Sequence, residues 1–135
     1  MSESGFDPKA AFVFAEDGGA ALRADVTPTF WQELISGDTR SPAIRKLRDG
    51  SGWLVGAFAM TSSSRWEMHP AGDEILYLVD GALDVILEET NGERVVTLQP
   101  GTACVVPRGT WHRQIVHQPA ELLAITYGKG TQHRP

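Results

Sequence analysis

Two glutamates and a histidine, Glu67, His69 and Glu74, crowd the stretch RWEMHPAGDEILYLVDG at residues 65–81. On a strand, residues two apart leave the same face, so Glu67 and His69 would project together. Pro70-Ala71-Gly72 then turns the chain, and Glu74 opens an apolar run in which it can come back to face His69. Period two carries Leu76 and Leu78 to the side of Glu74, so the polar donors would sit at the mouth of an apolar interior. His112 comes from far along the chain, after PRGTW, where Pro107 and Gly109 allow a bend that would swing it into the same cavity. Two imidazoles with one or two carboxylates suit a divalent transition metal such as Fe, Mn, Ni or Zn. A two-histidine, one-carboxylate set with open positions serves many non-haem iron oxygenases. Taken alone, the same residues equally describe solvated polar groups flanking a turn.

Such donors need a scaffold that holds distant segments side by side. From Ser51 onward, short β-type runs recur: WLVGAFAM, SRWEMH, EILYLVD, ALDVILEE, RVVTLQ, TACVVP, WHRQIVH and AELLAITYG. Turn signals separate them, and Asp80-Gly81 and Asn91-Gly92 read as hairpin turns. About eight strands without a helical period between them predict an antiparallel sandwich or barrel. Before Gly50, AFVFAEDGGAALRADV predicts two short strands. TPTFWQELISGD predicts a short helix with Thr27 as N-cap, Pro28 as its first helical residue and Gly37 at its end. DTRSPAIRKLRDGSG reads as a loop or edge segment, and the tail GKGTQHRP as loose.

Alternation also sorts the neighbours of the donors. Phe58 and Met60 share a face that can meet the cavity, whereas Trp66, Trp111 and Tyr77 point away, the two tryptophans toward packing or a dimer contact. His117 and His133 read as surface residues. Arg108 and Arg113 read as rim arginines, either of which can hold an anion. Cys104, the one cysteine, excludes an internal disulfide and reads as a buried, inert thiol.

A chain of 135 residues with 41% hydrophobic and 21% charged residues suits one globular domain. A net charge of −5 with scattered basic residues argues against nucleic-acid and anionic-membrane partners. No apolar run approaches the roughly 18 residues of a membrane span. The polar N-terminus lacks a signal-peptide core, which predicts a cytoplasmic protein.

The stretches EMHPAGDEILYLVDG and GTACVVPRGTWH resemble the two motifs of the cupin superfamily, in particular small single-domain proteins of the cupin 2 type. In the first motif, G-x5-H-x-H-x(3,4)-E-x6-G, His69 falls on the second histidine, Glu74 on the glutamate and Gly81 on the closing glycine. In the second, G-x5-P-x-G-x2-H-x3-N, Gly101, Pro107, Gly109 and His112 fall at every spacing. Glu67 stands where the family has its first histidine, Thr61 replaces the opening glycine and Val116 the asparagine. The resemblance covers roughly Trp53 to Tyr127.

It implies an all-β cupin barrel (double-stranded β-helix, or jelly roll) over residues 51–135, with a strand-helix extension over residues 1–50 packed on it. It also implies a divalent metal held by His69, Glu74 and His112, and often a homodimer. Glu67 would be a fourth ligand or, if unbound, a catalytic proton carrier. Cupins have many activities, so the fold does not fix one. The expectation is a metal-dependent enzyme, dioxygenase- or isomerase-like, acting on a small organic acid or aromatic compound. The alternative is a non-catalytic cupin that binds or senses a small ligand.

Overall fold

The computed structural model describes residues 4–135, so the first three residues of the expected extension lie outside the described residues. In chain order the elements are strands β1 (Ala11–Glu16) and β2 (Ala21–Asp25), helices α1 (Phe30–Ser36) and α2 (Pro42–Asp49), then strands β3 (Gly52–Met60), β4 (Trp66–Met68), β5 (Glu74–Glu89), β6 (Gly92–Leu98), β7 (Ala103–Val106), β8 (His112–Thr126) and β9 (Gln132–Arg134). All strand pairs are antiparallel.

Two long strands organise the barrel. β5 and β8 pair along nearly their whole length, from Glu74↔Thr126 to Leu87↔His112. β7 flanks the first part of β5, and β6 flanks the second. β3 flanks the Ala120–Thr126 part of β8, and β4 reaches it at His112. β1 and β2 extend the sheet beyond β3, and β9 extends it beyond β4. The result is an all-β curled sheet closing on an apolar interior.

Here the expected hairpin at Asp80-Gly81 is corrected. EILYLVD and ALDVILEE form one strand, with an irregular register between Leu78 and Leu83. Leu76 and Leu78 face inward before the irregularity, and Leu83, Val85 and Leu87 after it. The inward parity therefore flips, as an inserted residue requires. Gly81 lies at φ +90°, and a Cβ there would fall 2.2 Å from the Pro119 carbonyl oxygen. The glycine serves a bulge pressed against β8, not a chain reversal. WHRQIVH and AELLAITYG likewise merge into β8. The Asn91-Gly92 hairpin is present between β5 and β6, its last pair being Glu89↔Gly92.

The N-terminal strands are where the sequence puts them, but the segment carries two helices rather than one. α1 starts after the expected Thr27 cap, because the Phe30 N–H closes a turn onto the Thr27 carbonyl and Thr29 is the cap. It ends at Gly37 as expected. The segment read as a loop contains α2, capped by the Ser41 side chain accepting from the Ile44 N–H, with Pro42 in the first turn. Phe12, Ala24, Phe30 and Ile44 form a second core, and Phe58 packs against both this core and that of the barrel. Burying Phe12, Phe30 or Ile44 contributes about 1.5–3 kcal/mol each.

The tail is not loose. β9 pairs with β4, His133 opposite Glu67. The Arg134 guanidinium lies 5.1 Å from the Trp66 ring and 4.5 Å from the Trp111 ring. The two outward tryptophans thus hold the C-terminal segment in place.

Candidate metal centre

Strand pairing assembles the donors. Glu67 on β4 is the cross-strand partner of His112, the first residue of β8. Glu74, the first residue of β5, pairs with Thr126 at the other end of β8. His69 follows β4 directly. Its carbonyl accepts from the Gly109 N–H at 2.9 Å, while Arg108 donates its N–H to Asp73 Oδ1 at 2.7 Å and its Nε–H to the Pro70 carbonyl at 3.0 Å. The two loops that carry the sequence motifs are thereby tied together. Gly109 adopts φ +77°, the bend expected before His112.

One donor atom from each of Glu67, His69, Glu74 and His112 falls within 4.8 Å of the other three. His112 Nε2 lies 3.0 Å from Glu74 Oε1 and 3.3 Å from Glu67 Oε1, and His69 Nε2 lies 3.2 Å from Glu74 Oε2 and 3.5 Å from Glu67 Oε1. His69, Glu74 and His112 are buried.

The outer hydrogen bonds decide which imidazole nitrogen faces the cluster. The Thr131 hydroxyl donates its hydrogen to the Gly128 carbonyl at 2.7 Å, so toward His69 Nδ1, at 2.8 Å, its oxygen accepts. His69 Nδ1 is therefore the protonated nitrogen. His112 Nδ1 faces the Thr110 carbonyl at 3.0 Å and must likewise donate. In the neutral rings this leaves both Nε2 lone pairs aimed at the carboxylates, the arrangement a ligating histidine needs. His69 Nε2 is buried without a hydrogen-bond partner, close to Glu74 but out of line with it. Thr126 donates to Glu74 Oε2 at 2.5 Å and fixes that carboxylate. An orphaned buried nitrogen beside mixed N/O donors fits a divalent transition ion.

Without an ion the four groups neutralise one another. Burial alone would lower both imidazoles, but the facing Glu67 and Glu74 carboxylates outweigh it and raise His69 to about 9 and His112 to about 10. Burial alone would raise both glutamates, but the facing His112 and His69 imidazoles hold them below the usual carboxylate range.

Glu67, His69 and Glu74 open into a cavity of about 960 Å³, with the fully buried His112 behind them. Phe58 and Met60 line it, as their shared face predicts. So does Gln114, which sequence reasoning passed over although it follows His112 by one period of two. Arg65, Lys129 and His133 also line it. His133 is at the surface, as expected, with its side chain 50% exposed, and its Nε2 lies 3.5 Å from Glu67 Oε2. His117 is outside, against Asp84. Arg108 is occupied by the loop carbonyl, and Arg113 lies over Trp66.

A family model of the cupin domain matches residues 57–126, just over half of the chain. The chain belongs to the cupin family. Solved structures agree on the fold of this cupin. A hydroquinone 1,2-dioxygenase from Sphingomonas sp. TTNP3 with 4-hydroxybenzoate bound is 20% identical, with 58% of this chain and 60% of that chain covered and a TM-score of 0.50. The oxalate decarboxylase of Lactobacillus farciminis, a formate complex, is 17% identical over 61% of this chain and 26% of that chain, with a TM-score of 0.52. An oxalate oxidase in complex with the substrate analogue glycolate is 21% identical over 61% of this chain and 45% of that chain, with a TM-score of 0.50. At these identities the likeness shows the fold alone. This cupin spans about three fifths of the dioxygenase's length and less than half of the oxalate enzymes'. No curated protein matches its sequence. Among the described residues no helix is long and apolar enough to cross a membrane.

Proposed function

We propose that this cupin holds a divalent transition metal, Fe, Mn, Ni or Zn, through His69, Glu74, His112 and Glu67, and acts on a small organic acid bound beside it. The observation that carries the reading is the fixed pair of tautomers, which turns both Nε2 lone pairs toward two carboxylates that line a ligand-sized cavity. Such an ion, when bound, supplies Lewis acidity toward a coordinated oxygen or redox capacity toward dioxygen.

The chain's own residues divide the remaining work. Thr126 and the strand pairing hold Glu74 in place, so it serves as a fixed donor. Glu67 faces two environments, with Oε1 toward the imidazoles and Oε2 toward the half-exposed His133. It is the carboxylate of the set with a route to solvent, and a proton held or moved during turnover would be carried at Oε2. Gln114 and Arg65 line the same space and can orient a carboxylate.

Elemental analysis of protein purified without added metal tests the site. About one equivalent of a transition metal per chain is expected. Less than about a tenth of an equivalent, not restored by Fe, Mn, Ni or Zn, overturns the reading. Oxygen uptake with catechols, β-diketones and thiols then tests for a dioxygenase. Tight binding without turnover would instead mark a ligand-holding cupin. Glu67→Gln separates the two roles of that residue: a lost metal marks a ligand, and retained metal with lost turnover marks a proton carrier.

A further inference from the structure

More than a third of the residues lining the cavity precede the cupin-domain match. Trp31, Leu34 and Ile35 on α1 and Leu47 on α2 face the same space as the donor cluster. Trp31 stands 6.3 Å from Phe58 and 5.8 Å from Phe12, ring to ring, so α1 is seated on the barrel mouth through an aromatic contact. Arg48 donates to the Leu34 and Ile35 carbonyls at 2.8 and 2.6 Å and fixes α1 against α2. Yet Trp31 remains 46% exposed and Ile35 77% exposed. A helix so firmly held, with Trp31 and Ile35 left open beside a cavity, presents surface that an occupant would cover.

Charge identifies the other end of that occupant. Arg65 and Lys129 line the cavity, and among the described residues neither has a hydrogen-bond, ion-pair or ring partner. Arg48 is offset by Asp49, which also lines the cavity, at 3.7 Å. The two carboxylates of the donor set offset a divalent ion. The cavity then keeps the two positive charges of Arg65 and Lys129, which favour an anionic group near the metal end. About 960 Å³ is close to the upper end of ordinary ligand sites, so an acid of two carbons would leave most of it empty.

We infer that the N-terminal helices form an apolar annex to the metal site, and that the ligand is an extended amphipathic carboxylate. Its acid group lies between the donor cluster and Arg65/Lys129, and its apolar body lies against Trp31, Leu34 and Leu47. This rests on the proposed function for the metal end only, because the annex contains none of the four donors.

Calorimetric titration of the full chain with straight-chain carboxylates from butanoate to decanoate tests it, in metal-loaded and chelated protein. Each added CH2 should tighten binding about threefold to fourfold until the annex is filled. The matching alcohols should bind at least about tenfold more weakly, for want of a charge-assisted pairing. Trp31→Ala, at a half-exposed position, should flatten the chain-length dependence, and Arg65→Ala should shrink the preference for acid over alcohol. The wild-type series needs no variant to fold. A flat chain-length series in wild-type protein overturns the annex, and equal binding of acids and alcohols overturns the anionic end. A chain-length slope that persists in chelated protein while elemental analysis finds no metal would overturn the proposed function and leave the annex standing.

Discussion

Thr131, near the C-terminus, sets which nitrogen of His69 faces the donor cluster, because its own hydrogen is already given to the Gly128 carbonyl. Replacing Thr131 with valine keeps the shape and removes the acceptor. Thr131→Val should weaken metal binding about 10–100-fold, the usual cost of losing a partner behind a ligating histidine. Thr131→Ser should bind nearly as wild type. Competition against a chromophoric chelator reads both. Equal affinity in all three proteins would mean that the hydroxyl does not aim the ring.

The donor cluster makes stability depend on pH in both directions. His69 and His112 are raised to about 9 and about 10 from an ordinary 6.5. Their contribution in metal-free protein is fully present below about pH 6.5 and is lost as pH rises through those higher values. Glu67 and Glu74 are lowered from 4.5, so their contribution is present above about pH 4.5 and is lost as pH falls through their folded values. Chelated protein should therefore melt highest between about pH 4.5 and 6.5. Metal must displace the imidazole protons, so metal binding should tighten as pH rises toward 9 and release up to about two protons at neutral pH. Melting curves in chelator, and titration in two buffers of different ionisation enthalpy, check the two halves.

Gly81 should tolerate no side chain. Its φ of +90° strains an L-residue, and the Pro119 carbonyl stands 2.2 Å from where a Cβ would be. Gly81→Ala should cost about 3 kcal/mol or more, measured by denaturant unfolding. A loss under about 1 kcal/mol would mean that the bulge can move aside.

Cys104 should stay quiet. Burial first, and the nearby Glu74 charge second, push its thiol up to about 11. A thiol reagent at pH 8 should react with folded protein far more slowly than with unfolded protein, because little thiolate is present. Equal rates would place the sulfur in solvent.

The donors were legible in the sequence because their spacing is a backbone property: Glu67 and His69 share a face by period two, and PRG bends before His112. The bulge at Gly81 was not, since Asp-Gly is a sound hairpin signal and only the β8 neighbour shows why the glycine is there. α2 was hidden because its pattern is mostly polar, with Ile44 and Leu47 its apolar contacts, although Ser41-Pro42 carried a start signal. Thr126 and His133 reach the site through strand pairing, and Lys129 and Thr131 through the turn between β8 and β9, which leaves no local mark on the residues themselves. The role of Arg65 was equally hidden, because its value lies in lacking a partner.

Pairing of β9 with β4 has a practical consequence at the bench. Any residues joined after Pro135 begin three positions from His133, which lies against Glu67. A polyhistidine appended there would place foreign imidazoles beside donors that select for the same ions. Metal content and affinity are best measured on protein purified through some other handle, or with the handle cut away.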